Sequence, residues 1–131
     1  MKNKKSKSKH EYPAISISIK ISSQTNRKLS LSAKRSGRAK RQEAGIRISD
    51  HLDIITDLAT EVIQPLWPRI EADPEYPSIS VTIDITSDTN RKLSLSAKRS
   101  GRAKRMEAAL RLSNHLDLIT DIATEGKRFL N

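Results

Sequence analysis

The sequence predicts a mainly α fold with a two-stranded antiparallel β-ribbon, made of two tandem strand-helix-helix units that form a pseudo-dimer within one chain. Three observations predict it. The stretch TNRKLSLSAKRSGRAKR, from Thr25 to Arg41, returns unchanged from Thr89 to Arg105. Two runs, Ile15–Ile21 and Ile79–Ile85, alternate strictly between aliphatic and polar residues. Each run is followed by two segments with helical spacing and helix-end signals.

The repeat sets the organisation. A shift of 64 aligns Tyr12–Glu61 with Tyr76–Glu125, and thirteen of these fifty positions differ. Two copies are too few for a solenoid. They suit a pseudo-twofold pair, because a unit of about 50 residues buries little surface alone. The expected boundaries are a basic disordered arm at 1–11, a first unit at 12–61, a linker at 62–75, a second unit at 76–125 and a short tail at 126–131. The arm is Lys/Ser-rich, and its lysines are expected to track phosphates without sequence preference. Pro65, Pro68 and Pro74 stop helices in the linker. Trp67 is read as a linker anchor packed on the body.

Within each unit the strand comes first. Ile15, Ile17, Ile19 and Ile21 face one way and Ser16, Ser18 and Lys20 the other; Ser80, Thr82 and Asp84 are the polar set of the second copy. Period two with β-branched residues marks a half-buried strand. Ser22 or Ser23 caps the next helix, which carries Thr25, Leu29 and Ala33 at spacing four and ends near Ser36-Gly37. Leu29-Ser30-Leu31-Ser32 also alternates, so a strand competes there; the flanking Arg and Lys residues favour helix. The second helix starts near Ala39 or Lys40 and runs to about Thr60, with Ala44, Ile48, Leu52, Ile55 and Leu58 or Ala59 as its apolar stripe. Lys40, Arg41 and Arg47 near its start, and Asp50, Asp53, Asp57 and Glu61 toward its end, oppose the helix dipole. A basic start makes sense where an outside anion docks on free amides. A lone strand leaves its backbone groups unpaired, so the two copies pair their strands and bury both aliphatic faces under the helices. Pairing within one chain or between two chains stays open, since the 14 residues of the linker reach about 50 Å.

Composition narrows the partner. Lys and Arg number 25 against 15 Asp and Glu, a net charge of +10. Such a clustered excess points to a polyanion, nucleic acid before an acidic membrane surface. The absence of cysteine excludes disulfides and thiolate metal sites. Nothing resembles a signal peptide or a membrane span, and the expected compartment is the cytoplasm. Three histidines, none clustered, and no Gly-rich phosphate loop argue against an enzyme, and no cofactor or metal is expected. His51 and His115, at equivalent positions, are read as surface or half-buried helix residues.

Strand-helix-helix with RSGR at the helix junction resembles the ribbon-helix-helix proteins of bacteria, such as the Arc and Met repressors. Two such units in one chain of this length resemble the TraY family of conjugative relaxosome proteins. The residues that carry the likeness are Arg35-Ser36-Gly37-Arg38, Glu43-Ala44, Ile46-Arg47-Ile48 and Asp50-His51-Leu52, with their second copies Arg99-Ser100-Gly101-Arg102, Glu107-Ala108, Leu110-Arg111-Leu112 and Asn114-His115-Leu116.

The resemblance implies a ribbon in the major groove of double-stranded DNA. Ser16, Ser18, Lys20, Ser80, Thr82 and Asp84 would face base edges. The starts of the second helices, Ala39-Lys40-Arg41 and Ala103-Lys104-Arg105, would hold phosphates. It implies an accessory role at a plasmid origin of transfer beside a relaxase and a DNA-bending protein of the IHF type, with transfer-gene regulation alongside. A plain repressor or an antitoxin is the alternative; the six residues after Glu125 are short for a toxin-binding tail. Several copies side by side on DNA are compatible with it. Ala39 and Ala103 stand where many relatives have Ser, which removes a side-chain cap. Lys20 against Asp84 makes the two halves unequal readers. On residues alone, the outward Ser and Thr positions are equally at home as an ordinary solvated surface; the basic cluster Arg27 to Arg47 could be a solvated face too, but its exact duplication, against the acidic stretch from Asp50 to Glu75, argues for function.

Overall fold

A computed structural model describes residues 12–58, 74–122 and 128–130. The first unit holds β1 (Ile15–Ile21), α1 (Ser23–Ser36) and α2 (Lys40–Ile54). The second holds β2 (Ile79–Ile85), α3 (Ser87–Ser100) and α4 (Lys104–Leu118), then β3 (Ile119–Ile122) and β4 (Arg128–Leu130).

β1 and β2 pair antiparallel within the chain, with Ser18 opposite Thr82 at the centre and Ile15 opposite Ile85 at one end. Alternation does what period two demands. Ile19, Ile21, Val81, Ile83 and Ile85 are buried and join Leu29, Leu93, Ala44, Ala108, Ile48 and Leu112 in one aliphatic core. α2 packs on β2 and α4 on β1, so each second helix covers the strand of the other unit, and the two second helices pack on each other. Neither unit closes its core alone. Gly45 permits part of this approach: a Cβ there would lie 3.3 Å from the Asp84 carbonyl oxygen.

The helix ends follow local chemistry. Ser22 caps α1 and Thr86 caps α3, each side-chain oxygen accepting from the amide three residues on, Thr25 or Thr89, at 3.2 Å. Gly37 and Gly101 take φ of 75° and 76°, the left-handed conformation that closes a helix. The amides of Gly37 and Arg38 then return to the carbonyls of Lys34 and Ala33. Leu29–Ser32 is therefore helix, and its alternation is the coincidence of a helix whose Leu29 is fully buried while Leu31 is half-covered.

One expectation fails. α2 stops at Ile54, not near Thr60, and α4 stops at Leu118. Ile55 and Ile119 take extended backbone, φ −127° and −123°. The cause lies in the opposite unit. Arg111 donates to the carbonyls of Ile55 and Thr56, and Arg102 to that of Leu58. Arg47 and Arg38 do the same to Ile119, Thr120 and Ile122. These guanidinium contacts hold an extended path for a β-branched run whose own helix preference is weak. Ile55 and Leu58 thus leave the helical stripe, and Asp57 lies beyond the helix, where it pairs with Arg99. In the second unit the extended segment becomes β3 and pairs antiparallel with β4 of the tail. The arm, Trp67, Ala59, Thr60 and Glu61 lie outside the described residues.

Candidate nucleic-acid interface

The outward face of the ribbon is polar throughout. Ser16, Ser18, Lys20, Ser80, Thr82 and Asp84 are all exposed. They stand as three cross-strand pairs: Ser16 with Asp84, Ser18 with Thr82, Lys20 with Ser80. One end of the face therefore carries a carboxylate and the other an ammonium, about a pseudo-twofold through the central pair. Ser16 donates to Asp84, which fixes the carboxylate and leaves its second oxygen to accept from elsewhere.

The starts of α2 and α4 flank this face. Arg41 and Gln42 of α2 line the same shallow groove as Asp84 and Thr86 of the β2 end. Ala39 and Ala103 provide no side-chain cap. Gln42 accepts from the Ala39 amide at 3.2 Å, which restores half of a capping box; Met106 at the matching place cannot do so. The following first-turn amides have no partner within their own helices. Lys40 donates to Asn26 Oδ1 at 2.9 Å and Lys104 to Asn90 Oδ1 at 2.8 Å. Arg41 and Arg105 are exposed and make no ion pair among the described residues. All six ribbon positions and both helix starts named from the sequence are thus brought to neighbouring surface.

Other cations of the duplicated stretch do different work. Arg47, read from the sequence as part of a basic helix start, is fully buried. With Arg38 it grips Glu43, at 2.9 and 2.7 Å, while Ser32 and Ser36 donate to the same carboxylate. Burial alone would raise the Glu43 carboxyl, but hydrogen bonds from Ser32, Arg38 and Arg47 outweigh it and hold it at about 2. Glu107 repeats the arrangement with Ser96, Arg102 and Arg111, also at about 2. Lys28 pairs with Asp117 and Arg35 with Asp121, and Lys92 and Arg99 pair with Asp53 and Asp57. Each of these four cations bonds an acid of the opposite unit. The basic stretch is largely an inter-unit clasp. Its sequence signal was the Glu43–Arg47 pair at i,i+4, repeated at Glu107–Arg111.

The two histidines complete the clasp and correct the surface reading, for both are fully buried. Their rings lie 6.3 Å apart across the pseudo-twofold. Arg47 reaches His115 Nδ1 at 3.0 Å and Arg111 reaches His51 Nδ1 at 2.9 Å. Beyond them symmetry breaks: His115 Nε2 meets Asp50, His51 Nε2 meets Asn114. Burial, with the positive charge of Arg111 adding to it, lowers the His51 pKa to about 4. Every buried side-chain polar atom of the described residues has a partner.

Among the described residues there is no cluster of three His, Asp or Glu that would hold a metal ion, and no helix is long and apolar enough to cross a membrane. Comparison with curated proteins gives no match, and neither does comparison with solved structures. Comparison with family models does. The TraY domain matches twice, over residues 17–64 and 81–129, one match for each strand-helix-helix unit. That family is one of DNA-binding accessory proteins associated with conjugative relaxosomes. With a tandem match over most of its length and a paired ribbon beneath four helices, the chain belongs to the TraY family.

Proposed function

We propose that the protein is a sequence-specific binder of double-stranded DNA near a plasmid origin of transfer. There it assists nicking by a separate relaxase, beside a DNA-bending protein of the IHF type. The ribbon enters the major groove. Ser16, Ser18, Lys20, Ser80, Thr82 and Asp84 meet base edges, and Ala39-Lys40-Arg41 and Ala103-Lys104-Arg105 meet the flanking phosphates. The observation that carries this reading is the exposed polar ribbon face flanked by two helix starts, each with free first-turn amides and an exposed arginine. A two-stranded ribbon fits the major groove, where all four base pairs differ.

The ends of the ribbon give the complex a direction. Lys20 donates to guanine O6 and N7, while Asp84 accepts from cytosine N4. An asymmetric reader defines left and right along the duplex, which is what cutting one strand requires. Regulation of transfer genes follows from the same binding wherever the site overlaps a promoter.

Fluorescence anisotropy tests this. The protein is titrated against duplexes tiling its plasmid's transfer origin and against shuffled duplexes, at about 50 and about 200 mM salt. One tile preferred by about 10³-fold or more, with the preference kept at higher salt, supports the reading. Equal binding to all tiles, released together by salt, leaves only phosphate attraction and removes the base-reading role.

A further inference from the structure

We propose that Asn26 and Asn90 are positioning residues for DNA binding, each tying the phosphate-facing lysine of its own unit to the ribbon entry of the other. This rests on the DNA-binding reading above. Asn26 lies in the first turn of α1 and is 3% exposed. Its Oδ1 accepts from Lys40 Nζ at 2.9 Å and from Ser30 at 3.2 Å. Its Nδ2 donates at 2.7 Å to the carbonyl of Pro77, two residues before β2. Asn90 does the same in the other half: Lys104 and Ser94 donate to it at 2.8 and 3.2 Å, and it donates to Pro13, two residues before β1, at 2.7 Å. Neighbouring hydroxyls add to each tie, Ser23 donating to the Tyr76 carbonyl and Ser87 to that of Tyr12.

The chemistry selects asparagine. The side chain must accept from an ammonium on one side and donate to a carbonyl on the other. A side-chain amide does both, with acceptor and donor on separate atoms that reach in different directions, and flipping it would set NH2 against the ammonium and oxygen against the carbonyl. An ammonium has three donors, so Lys40 keeps others for an anion while its position is fixed. Aspartate would hold the lysine too, but would cancel its charge and leave Pro77 without a donor. The amide therefore links two parts that must meet DNA in register: a cation beside the backbone and the strand that faces the bases. The link crosses between units, so each half of the ribbon is set by the other half's clamp.

A double-mutant cycle in the full chain tests the proposal. Parent, Asn26→Ala, Lys40→Ala and the double variant are titrated with the preferred duplex over a range of salt, and each is melted without DNA. Lys40→Ala is expected to weaken binding several-fold and to reduce the salt slope by about one. Asn26→Ala is expected to cause a loss of the same order with a similar fall in slope, and to add little once Lys40 is gone. Equal loss from Asn26→Ala with and without Lys40, or an unchanged slope, would overturn the proposal and leave Asn26 a purely structural residue. Should the alanine variant fail to fold, Asn26→Leu, close in shape and uncharged, replaces it: a reduced slope supports the positioning role, and a parental slope overturns it. A parent that binds no duplex removes the DNA-binding reading and this proposal together, an outcome distinct from an additive cycle.

Discussion

The two units share 37 of 50 aligned letters, and the letters they share do different work from those they do not. Shared residues hold the halves together. Arg38 and Arg47, held on Glu43, bond carbonyls of the opposite unit, and their twins Arg102 and Arg111, held on Glu107, do so in return. Several differing residues gather where the molecule meets its surroundings. Lys20 faces out where its twin is Asp84, Ser18 where its twin is Thr82, and Gln42 sits at a helix start where its twin is Met106. The lesson is a division of labour: duplication preserved the clasp and released the outward face. A residue repeated without change in a duplicated basic stretch is, in this molecule, more often an internal tie than a ligand contact.

The largest way to break this comparison is to cut the clasp. Arg47→Ala leaves Glu43 buried with one guanidinium fewer and takes a donor away from each of the Ile119 and Thr120 carbonyls. A loss of about 3–5 kcal/mol is expected, and Arg111→Ala should lose about as much. Urea unfolding of both variants checks it; a large difference between them would show that the twins are not equivalent.

Acid should act on the same region. His51 has its pKa lowered from 6.5 to about 4, so the folded state binds its proton more weakly than the unfolded chain does. Its stabilising share is present above pH 6.5 and is lost as pH falls from 6.5 toward 4, to a total of about 3 kcal/mol. Glu43 and Glu107, lowered from 4.5 to about 2, contribute above pH 4.5 and lose their share below it. Urea midpoints measured from about pH 7.5 to about pH 4 should decline through the first window. His51→Gln should flatten that decline relative to the parent.

The outward face gives a sharper contrast at smaller cost. Asp84→Lys makes the two ribbon ends alike. It should leave melting nearly unchanged and shift base preference at one end of the site by about 1–3 kcal/mol. Selection of bound duplexes from a randomised pool measures this, and an unaltered consensus would exclude Asp84 from base reading.

The smallest effect belongs to Gly45, whose twin is Ala109. Gly45→Ala gains up to about 1 kcal/mol of helix preference and gives back part of it through the 3.3 Å approach to the Asp84 carbonyl. A net change below about 1 kcal/mol is expected in thermal melting.

Much of this architecture was legible in the sequence, because its signals are local. Period two located β1 and β2, hydroxyls and glycines located the ends of α1 and α3, and the repeat announced their pairing. The six outward ribbon positions follow from alternation alone. What escaped depends on contacts across the pseudo-twofold. The extended path that follows Ile54 is held by Arg111, remote in sequence, which binds the carbonyls of Ile55 and Thr56. The burial of Arg47 and His51 escaped for the same reason: charge and polarity mark a surface until a partner of matching shape lies opposite. Asn26 was visible only as one more polar residue near a cap, since its value lies in joining Lys40 to Pro77.

The pairing of β1 with β2 inside one chain changes how the protein responds to dilution. A ribbon assembled from two chains exists only above its dissociation constant, so its occupancy of a site falls with more than the first power of concentration. Here the second strand travels with the first, at an effective concentration that covalent linkage raises toward the millimolar range. The paired ribbon is complete in every copy. A handful of molecules in a cell can then occupy a single site with a first-order response, without a search for a partner beforehand.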